Sequence, residues 1–271
     1  MIDAHFHIWR LARADYGWLT PAAGSIYRDV GLDDWRRVSA PCGVTAGILV
    51  QAAPTESETR FLLRQAHSAP DVLGVVGWTD MLAADAPERI QALALDPKLR
   101  GLRPMLQDIA DPDWILQGAL HDPLQAMRAC GLALDALVKP VHLPRILALA
   151  RRHPDLHIVI DHAAKPAIAH GQWRDWADGL QALAACPLVF CKLSGLWTEA
   201  APGSDAALLE PYVRQVLQSF GPGKTLWGSD WPVLELAGAY AAWHTLVREL
   251  VAPEDHGAVF DRVARQAYRL V

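Results

Sequence analysis

The chain alternates short apolar runs with longer amphipathic stretches, and this alternation limits its possible folds more than any other feature of the sequence. A short aliphatic run predicts a strand that is buried on both faces, and a longer stretch with apolar positions three or four apart predicts a helix. Eight such runs occur along the 271 residues. They are residues 2–8, 44–51, 72–78, 100–106, 132–138, 157–162, 188–194 and 225–231.

Helical patterns lie between the predicted strands, over residues 58–68, 123–130, 143–153, 173–185, 208–220 and 240–250. Proline stands where a first helical turn would begin at Pro87, Pro123 and Pro144, and glycine stands where helices would end at Gly131 and Gly221. Strands that alternate with helices pair in parallel, and eight such units in a chain of this length predict a (β/α)8 TIM barrel.

An open, doubly wound sheet is the main alternative, and the first predicted strand argues against it. A dinucleotide-binding fold of that kind carries Gly-x-Gly-x-x-Gly after this strand, whereas the chain reads HFHIWRLARADYGW there. No internal repeat and no linker rich in proline, glycine or serine divides the sequence. We therefore expect one barrel domain over residues 1–271.

Polar and aromatic side chains stand at or near the ends of the predicted strands. In a TIM barrel the carboxyl ends of the strands meet on one face, which carries the active site. A charged group in an apolar run is unfavourable unless partners compensate for its desolvation, so these residues point to a shared site. They are His5, His7, Gln51, Trp78, Asp80, Arg103, Asp161, His162, Lys192, Ser194, Asp230 and Trp231.

His5 and His7 stand two residues apart near the start of the chain. Because side chains alternate along a strand, both imidazoles point the same way and can share a metal ion or converge on one substrate atom. In a chain with 11 histidines such a pair also arises by chance, so it needs partners from other strands to carry a function.

The same alternation selects those partners. It makes His162 face inward with Asp161 facing outward, and it places Asp230 on the face of Leu226. Three histidines and one carboxylate would then meet, and such a set can activate water with the carboxylate as general base. Two plainer interpretations stay open, namely Asp230 as the cap of a turn and His162 as a buried core histidine.

Composition limits the classes of partner. The net charge is −5 and basic residues cluster no further than in pairs, so we expect no nucleic-acid partner. No apolar run reaches the length of about 18 residues that spans a membrane, and no signal peptide is recognisable. The four cysteines form no Cys-x-x-Cys motif and lie among apolar residues, as buried free thiols do, which predicts a reducing cytoplasm.

Five segments together resemble the amidohydrolase superfamily: MIDAHFHIW, RGLRPMLQ, VIDHAAKP, CKLSGL and WGSDWPV. Within it they are most similar to the sugar-lactonase branch, which includes L-fuconolactonases and L-rhamnonolactonases. The resemblance implies a TIM-barrel enzyme of carbohydrate metabolism, a hydrolase that opens a small sugar-acid lactone by the attack of water. It implies catalytic roles for His5, His7 and His162, with Asp230 as the general base.

The resemblance also bears on a metal. If a divalent ion such as zinc is bound, the resemblance implies His5, His7 and Asp230 as its ligands. Metal-dependent relatives add a histidine or a carboxylated lysine from the fourth or fifth strand, whereas the fifth predicted strand here offers only Asp135 and Lys139. We therefore expect any such ion to be weakly held and not required.

Other strand-end residues are candidates for substrate binding. A charged or amide side chain would hold hydroxyl or carboxylate groups of the substrate, and a tryptophan ring would stack on a sugar or else only anchor a loop. The candidates are Gln51, Trp78, Arg103, Lys192, Trp197 and Trp231, with Trp9 as a further ring.

Two functions from other classes fit the same residues. A decarboxylase on the same barrel would require a firmly bound metal. A non-catalytic sugar-binding protein would keep Arg103 and the tryptophans but would tolerate the loss of Asp230.

Overall fold

In the computed structural model, which describes residues 1–270, the eight predicted strands form and pair in parallel in chain order around one sheet. The prediction of a (β/α)8 TIM barrel is therefore confirmed. The strands are β1 (Ile2–Phe6), β2 (Ala46–Val50), β3 (Val72–Gly77), β4 (Leu99–Leu102), β5 (Ala133–Ala136), β6 (Ile158–Ile160), β7 (Val189–Leu193) and β8 (Thr225–Trp227).

Main-chain hydrogen bonds close the sheet where β1 meets the residues after β8. The amide of His7 donates to the carbonyl of Trp231 at 2.8 Å, and the amide of Asp230 donates to the carbonyl of His5 at 2.8 Å. Both bonds lie at the carboxyl ends of the strands. The closure of the barrel itself therefore brings Asp230 next to the two histidines.

Several strands are shorter than the apolar runs that predicted them. β6 ends at Ile160 and β8 at Trp227, whereas the runs continue to residues 162 and 231. The residues that follow β6 and β8 are as buried as the strands themselves, so hydrophobicity does not mark where these two strands end. These buried turns carry the polar side chains of the site.

Helices follow the strands and cover the outside of the barrel. They are α1 (Leu32–Ser39), α2 (Glu56–His67), α3 (Ala86–Ala94), α4 (His121–Ala129), α5 (Leu143–Arg152), α6 (Arg174–Ala184), α7 (Glu210–Phe220), α8 (Tyr240–Leu250) and α9 (Val263–Ala267). The sequence patterns predicted neither α1 nor α9, and Pro87 alone indicated α3. α9 has only five residues, fewer than two turns, which is too short for a clear helical period.

The C-terminal segment covers the amino-terminal end of the barrel. Tyr268 and α9 pack against interior residues of the strands, such as Ile48. The Nδ1 of His157, which directly precedes β6, donates to the carbonyl of Ala267 at 2.9 Å. The opposite end, where the strands finish, is left for a binding site.

Two predictions from composition concern the whole chain. Within residues 1–270, no helix combines the length and apolarity that crossing a membrane requires. All four cysteines carry free thiols, but only Cys191 is buried and the other three are half-buried. The expectation of buried thiols is therefore correct for one of them.

Candidate active site

A cavity of about 230 Å³ opens at the carboxyl ends of the strands. Its volume lies below the roughly 300–1,000 Å³ typical of sites for drug-sized ligands, so it suits a small molecule. Its wall includes His7, Trp18, Arg103, His162, Lys165 and Asp230.

His5 and His7 point to the same side at the end of β1, as the alternation of side chains predicts. Their Nε2 atoms are 3.2 Å apart. The Oδ1 of Asp230 lies 3.2 Å from His7 Nε2 and 3.6 Å from His5 Nε2. All three side chains are buried, so they form a compact polar cluster beside the cavity.

The cluster of His5, His7 and Asp230 fits the ligand set of a divalent metal. Two imidazole nitrogens and one carboxylate oxygen are donors that catalytic zinc sites use, with one position left for water or substrate. Ligand atoms at the corners of a tetrahedron around zinc, with bonds of about 2.0–2.1 Å, lie about 3.3–3.4 Å apart. The observed separations of 3.2, 3.2 and 3.6 Å agree with that spacing.

The carboxylate of Asp230 is held in its ionised form. Burial by itself would raise its pKa, but the imidazoles of His162, His7 and His5 outweigh the burial and hold the pKa well below its usual range. The contacts with these rings are made through Oδ1. No side chain of the described part of the chain donates a hydrogen bond to Oδ2, which leaves this oxygen to a water molecule or a substrate.

His162 faces Asp230 from the turn after β6, with 3.9 Å between Nε2 and Oδ1. Burial lowers the pKa of His162 to about 4, so the ring is neutral near pH 7. Its Nδ1 lies 2.9 Å from the Oγ of Ser194. With the serine hydroxyl donating to Nδ1, the ring proton sits on Nε2 and is directed to the site.

A left-handed turn aims the His162 side chain. Residues 162–165 all have positive φ, between 49° and 61°. This conformation costs about 1–2 kcal/mol for each residue with a Cβ, and such strain persists where the surroundings fix it, often at functional sites. The imidazole packs on Gly195, where an added Cβ would lie 2.5 Å from Nδ1.

One prediction at this turn is wrong. We expected Asp161 to face away from the side of His162, but it lies inside the barrel, with Oδ1 3.5 Å from His5 Nδ1. Val159 packs in the interior of the barrel whereas Ile158 and Ile160 pack toward the helices, so alternation itself places Asp161 inside. The left-handed turn then brings His162 to the same site. Asp161 is therefore a member of the site's polar network.

One cation, Lys192, and two carboxylates are buried beneath the histidine pair. Lys192 Nζ lies 2.6 Å from Asp135 Oδ2 and 2.8 Å from Asp161 Oδ1. Burial would raise the pKa of Asp161, but the charge of Lys192 and the ring of His5 hold it well below its usual range. Lys192 is fully buried and does not line the cavity, so the structure does not bring this candidate to a substrate.

Arg103 lines the cavity and is held from two sides. Its Nη2 donates to the carbonyl of Gln51, and its Nη1 lies 3.3 Å from Asp161 Oδ2. The side-chain amide of Gln51 donates back to the carbonyl of Arg103 at 3.0 Å. Gln51 thus orients the arginine and lies behind the wall of the cavity.

The tryptophans expected at the site lie outside the cavity wall. The rings of Trp197 and Trp231 are buried, and their indole N–H groups donate to acceptors in their own loops. Trp9 is buried and Trp78 half-buried. Of the two roles considered for these rings, the anchoring of loops matches their positions.

Trp18 is the tryptophan that reaches the cavity, and sequence reasoning missed it. The residue is 42% exposed, and its indole N–H donates to the carbonyl of Ala52 at 2.7 Å. Its ring meets that of Trp9 edge to face, with 5.5 Å between centroids. The available signal was a tryptophan in the glycine-containing loop that follows the histidine pair.

Comparison with known proteins gives relatives over the whole chain. The family model described as amidohydrolase matches residues 2–270. An L-fucono-1,5-lactonase of Burkholderia ambifaria is 48% identical, over 99% of this chain and 95% of its own. An L-fucono-1,5-lactonase of Burkholderia multivorans is 36% identical, over 99% of this chain and 96% of its own.

A solved structure shares the fold closely. The crystal structure of an amidohydrolase from Burkholderia multivorans with bound zinc superposes with a TM-score of 0.94 at 35% identity. The match covers 100% of this chain and 99% of that one. In that relative, therefore, the fold is compatible with a zinc ion.

Proposed function

The chain belongs to the amidohydrolase family and is a lactonase, and we propose that its substrate is the lactone of a small L-sugar acid. L-Fucono-1,5-lactone is the first candidate and L-rhamnonolactone the second. The observation that carries the proposal is the 48% identity to an L-fucono-1,5-lactonase over nearly the whole chain. A small cavity beside a buried carboxylate and three imidazoles supports it, because these groups can activate water.

In the proposed mechanism Asp230 is the general base. Its Oδ2 takes a proton from a water molecule that the pair of His5 and His7 orients, and the water oxygen then bonds to the carbonyl carbon of the lactone. The carboxylate is ionised at neutral pH because the facing imidazoles hold its pKa low. Asp230 is thus ready to accept the proton without a prior change of charge.

His162 stabilises the negative charge that develops on the carbonyl oxygen. Its Nε2–H is the donor, and a preorganised donor of this kind contributes about 10²–10³ in kcat. The ester C–O bond of the ring then breaks, and the proton held by Asp230 passes to the leaving alkoxide. The product is an open hydroxy acid, which releases one proton at neutral pH.

A divalent ion held by His5, His7 and Asp230 supplies Lewis acidity when it is bound. A lactone needs less activation than an amide because an alkoxide leaves more easily than an amide anion. We therefore expect the protein to purify with less than one equivalent of zinc and to keep most of its lactonase activity after chelation. Complete loss of activity on chelation, restored by one equivalent of zinc, would contradict this expectation.

Trp18 and Arg103 are the residues that we propose to hold the sugar. The Trp18 ring offers an apolar face to the cavity, on which the C–H face of a sugar ring can pack. Arg103 lines the cavity with a charged guanidinium, which can hold hydroxyl or carboxylate groups of the substrate.

The proposed partners and location are those of a metabolic enzyme. The substrate is a small neutral sugar lactone, and we expect neither nucleic acid nor a membrane as partner. The free thiols of all four cysteines are consistent with a reducing cytoplasm.

A pH-indicator assay on a panel of lactones tests the substrate, because each turnover releases one proton. The panel contains L-fucono-1,5-lactone, L-rhamnonolactone and D-gluconolactone, with the lactam of the same ring size as a matched, less reactive control. We expect the fastest turnover with L-fucono-1,5-lactone and none with the lactam. If no sugar lactone were hydrolysed above the uncatalysed rate, the proposed function would be wrong.

A further inference from the structure

The Nδ1 of His5, on the side away from the cavity, faces two competing partners. Lys192 Nζ lies 3.1 Å from this nitrogen, and Asp161 Oδ1 lies 3.5 Å from it. An ammonium group can only donate a hydrogen bond, whereas a carboxylate can only accept one. Nδ1 is therefore unprotonated if it hydrogen-bonds to Lys192, and it carries the ring proton if it hydrogen-bonds to Asp161.

The protonation of His7 is fixed independently. Its Nδ1 lies 2.8 Å from the carbonyl oxygen of Val50, which can only accept, so Nδ1 carries a proton and the neutral ring has a lone pair on Nε2. His5 Nε2 lies 3.2 Å from His7 Nε2 and 3.6 Å from Asp230 Oδ1, and that oxygen lies 3.2 Å from His7 Nε2. A proton on His5 Nε2 therefore points to two acceptors, whereas without it three lone-pair atoms would face one another and need a cation between them.

The distances favour a proton on the Nε2 of His5. Lys192 is the nearer partner of Nδ1, and Asp161 is already engaged by Lys192 at 2.8 Å and by Arg103 at 3.3 Å. When Lys192 donates to Nδ1, the single proton of neutral His5 must lie on Nε2, where it completes a hydrogen bond to His7. Because the ammonium group donates to Nδ1 at 3.1 Å, that nitrogen cannot also carry a proton, so the ring holds one proton only.

We propose that Lys192 is a positioning residue that holds His5 with its proton on Nε2, and that it thereby lowers the affinity of the histidine pair for divalent metal. Ligation by Nε2 requires the proton to move to Nδ1, where Asp161 would accept it in the arrangement that metal-bound histidines commonly adopt. Lys192 opposes this shift. The inference concerns zinc and proton binding alone and does not depend on the proposed substrate.

The test uses a variant that removes the donor while keeping the buried charges balanced. Lys192→Met alone would leave Asp135 without its cation, so it is combined with Asp135→Asn, which removes one negative charge. The asparagine still offers an oxygen to the hydroxyl of Tyr268, which lies 2.7 Å from Asp135 Oδ2. The single variant Asp135→Asn is the matched control, because it keeps the lysine.

The first readout is the dissociation constant for zinc, measured in the absence of substrate by competition with a chromophoric chelator. We expect the double variant Asp135→Asn/Lys192→Met to bind zinc at least about 10-fold more tightly than wild type, the scale on which outer-shell partners act. The Asp135→Asn control should show no tightening. Damage to the fold would weaken binding, so unchanged or weaker binding by a folded double variant would overturn the proposal.

The second readout is the protonation of His5 itself, which needs no variant to fold. In metal-free, ¹⁵N-histidine-labelled wild-type protein, the nitrogen chemical shifts distinguish a protonated from an unprotonated ring nitrogen. We expect His5 to carry its proton on Nε2, with Nδ1 unprotonated. A proton on Nδ1 in the wild-type protein would overturn the proposal, whatever the result of the lactone assay.

Discussion

Trp18 is the tryptophan whose side chain lines the cavity. Its proposed role in binding the sugar can be tested against a tryptophan that is exposed elsewhere. Trp18→Ala removes a stacking surface, and we expect kcat/KM for a sugar lactone to fall about 2- to 12-fold, since such contacts contribute about 0.5–1.5 kcal/mol. Trp173→Ala is the control, because this ring is 38% exposed and lies outside the cavity. An equal loss in both variants, or no loss in Trp18→Ala, would remove Trp18 from the binding surface.

At the scale of residues, the sequence predicted the catalytic candidates better than their surroundings. Period-two alternation correctly placed His5 and His7 on one side, at the end of β1, although the pairing of β1 with β2 shifts register between Asp3 and Phe6. It failed for Asp161, because Val159 and not Ile160 faces the interior of the barrel. His162 reaches the same site only through a left-handed turn that packs against Gly195, which lies distant in sequence. Trp18 was missed because a loop has no period from which the direction of a side chain can be inferred.

At the scale of elements, the turn after β7 supports the turn after β6. Gly195 has a φ of 59°, and a Cβ there would lie 2.5 Å from His162 Nδ1. We expect Gly195→Ala to displace the His162 ring, lower kcat at least about 10²-fold, as for the loss of one oxyanion donor, and destabilise the fold by about 1–3 kcal/mol. Lactonase kinetics and denaturant unfolding measure the two effects.

Gly203→Ala is the control that separates the clash with His162 from the cost of placing alanine at a positive φ. Gly203 has a similar φ of 78°, but nothing lies within 4 Å of an added Cβ. We expect a comparable backbone cost and nearly unchanged turnover. If Gly203→Ala lowered kcat as much as Gly195→Ala does, the support of His162 by the glycine would be ruled out.

The elements themselves were predictable where their hydrophobic pattern was long enough. The helical pattern over 240–250 coincides with α8, and the pattern over 143–153 matches α5 to within one residue. The ends of β6 and β8 were not predictable, because the turns after them are buried among apolar residues. Burial makes such a turn resemble a strand in sequence, and only the pairing of strands distinguishes the two.

At the scale of the whole molecule, buried histidines make stability depend on pH. Burial lowers the pKa values of His153, His157 and His244 below the usual 6.5. Below pH 6.5 each of these histidines therefore binds protons more readily in the unfolded chain than in the folded one, so its contribution to stability is lost as the pH falls. We expect Tm to be a few degrees lower at pH 5 than at pH 7.5.

A substitution isolates one of these histidines. His157→Gln removes a titrating ring beside the C-terminal segment and should make the loss of Tm between pH 7.5 and 5 smaller than in wild type. His170→Gln changes an exposed histidine and should leave the loss as it is. An unchanged pH dependence in His157→Gln would show that this histidine does not contribute to it.

The overall architecture followed from the count of eight alternating units, because few folds arrange that many parallel strands in a chain of this length. The organisation as one domain over residues 1–271 stays a prediction. The closure between β1 and β8 was not readable from the sequence, although it places Asp230 against the histidine pair. It depends on main-chain bonds between residues more than 220 positions apart, such as Asp230 N to His5 O.

Hydrolysis of L-fucono-1,5-lactone by Asp230→Asn protein, followed with a pH indicator, tests the role of Asp230 most directly. An amide cannot accept the proton from water, so we expect turnover to fall at least about 100-fold while circular dichroism shows an intact fold. Asp80→Asn, an exposed strand-end residue, is the control and should keep wild-type activity. An Asp230→Asn variant that retained more than about a tenth of wild-type activity would contradict the assignment of Asp230 as the general base.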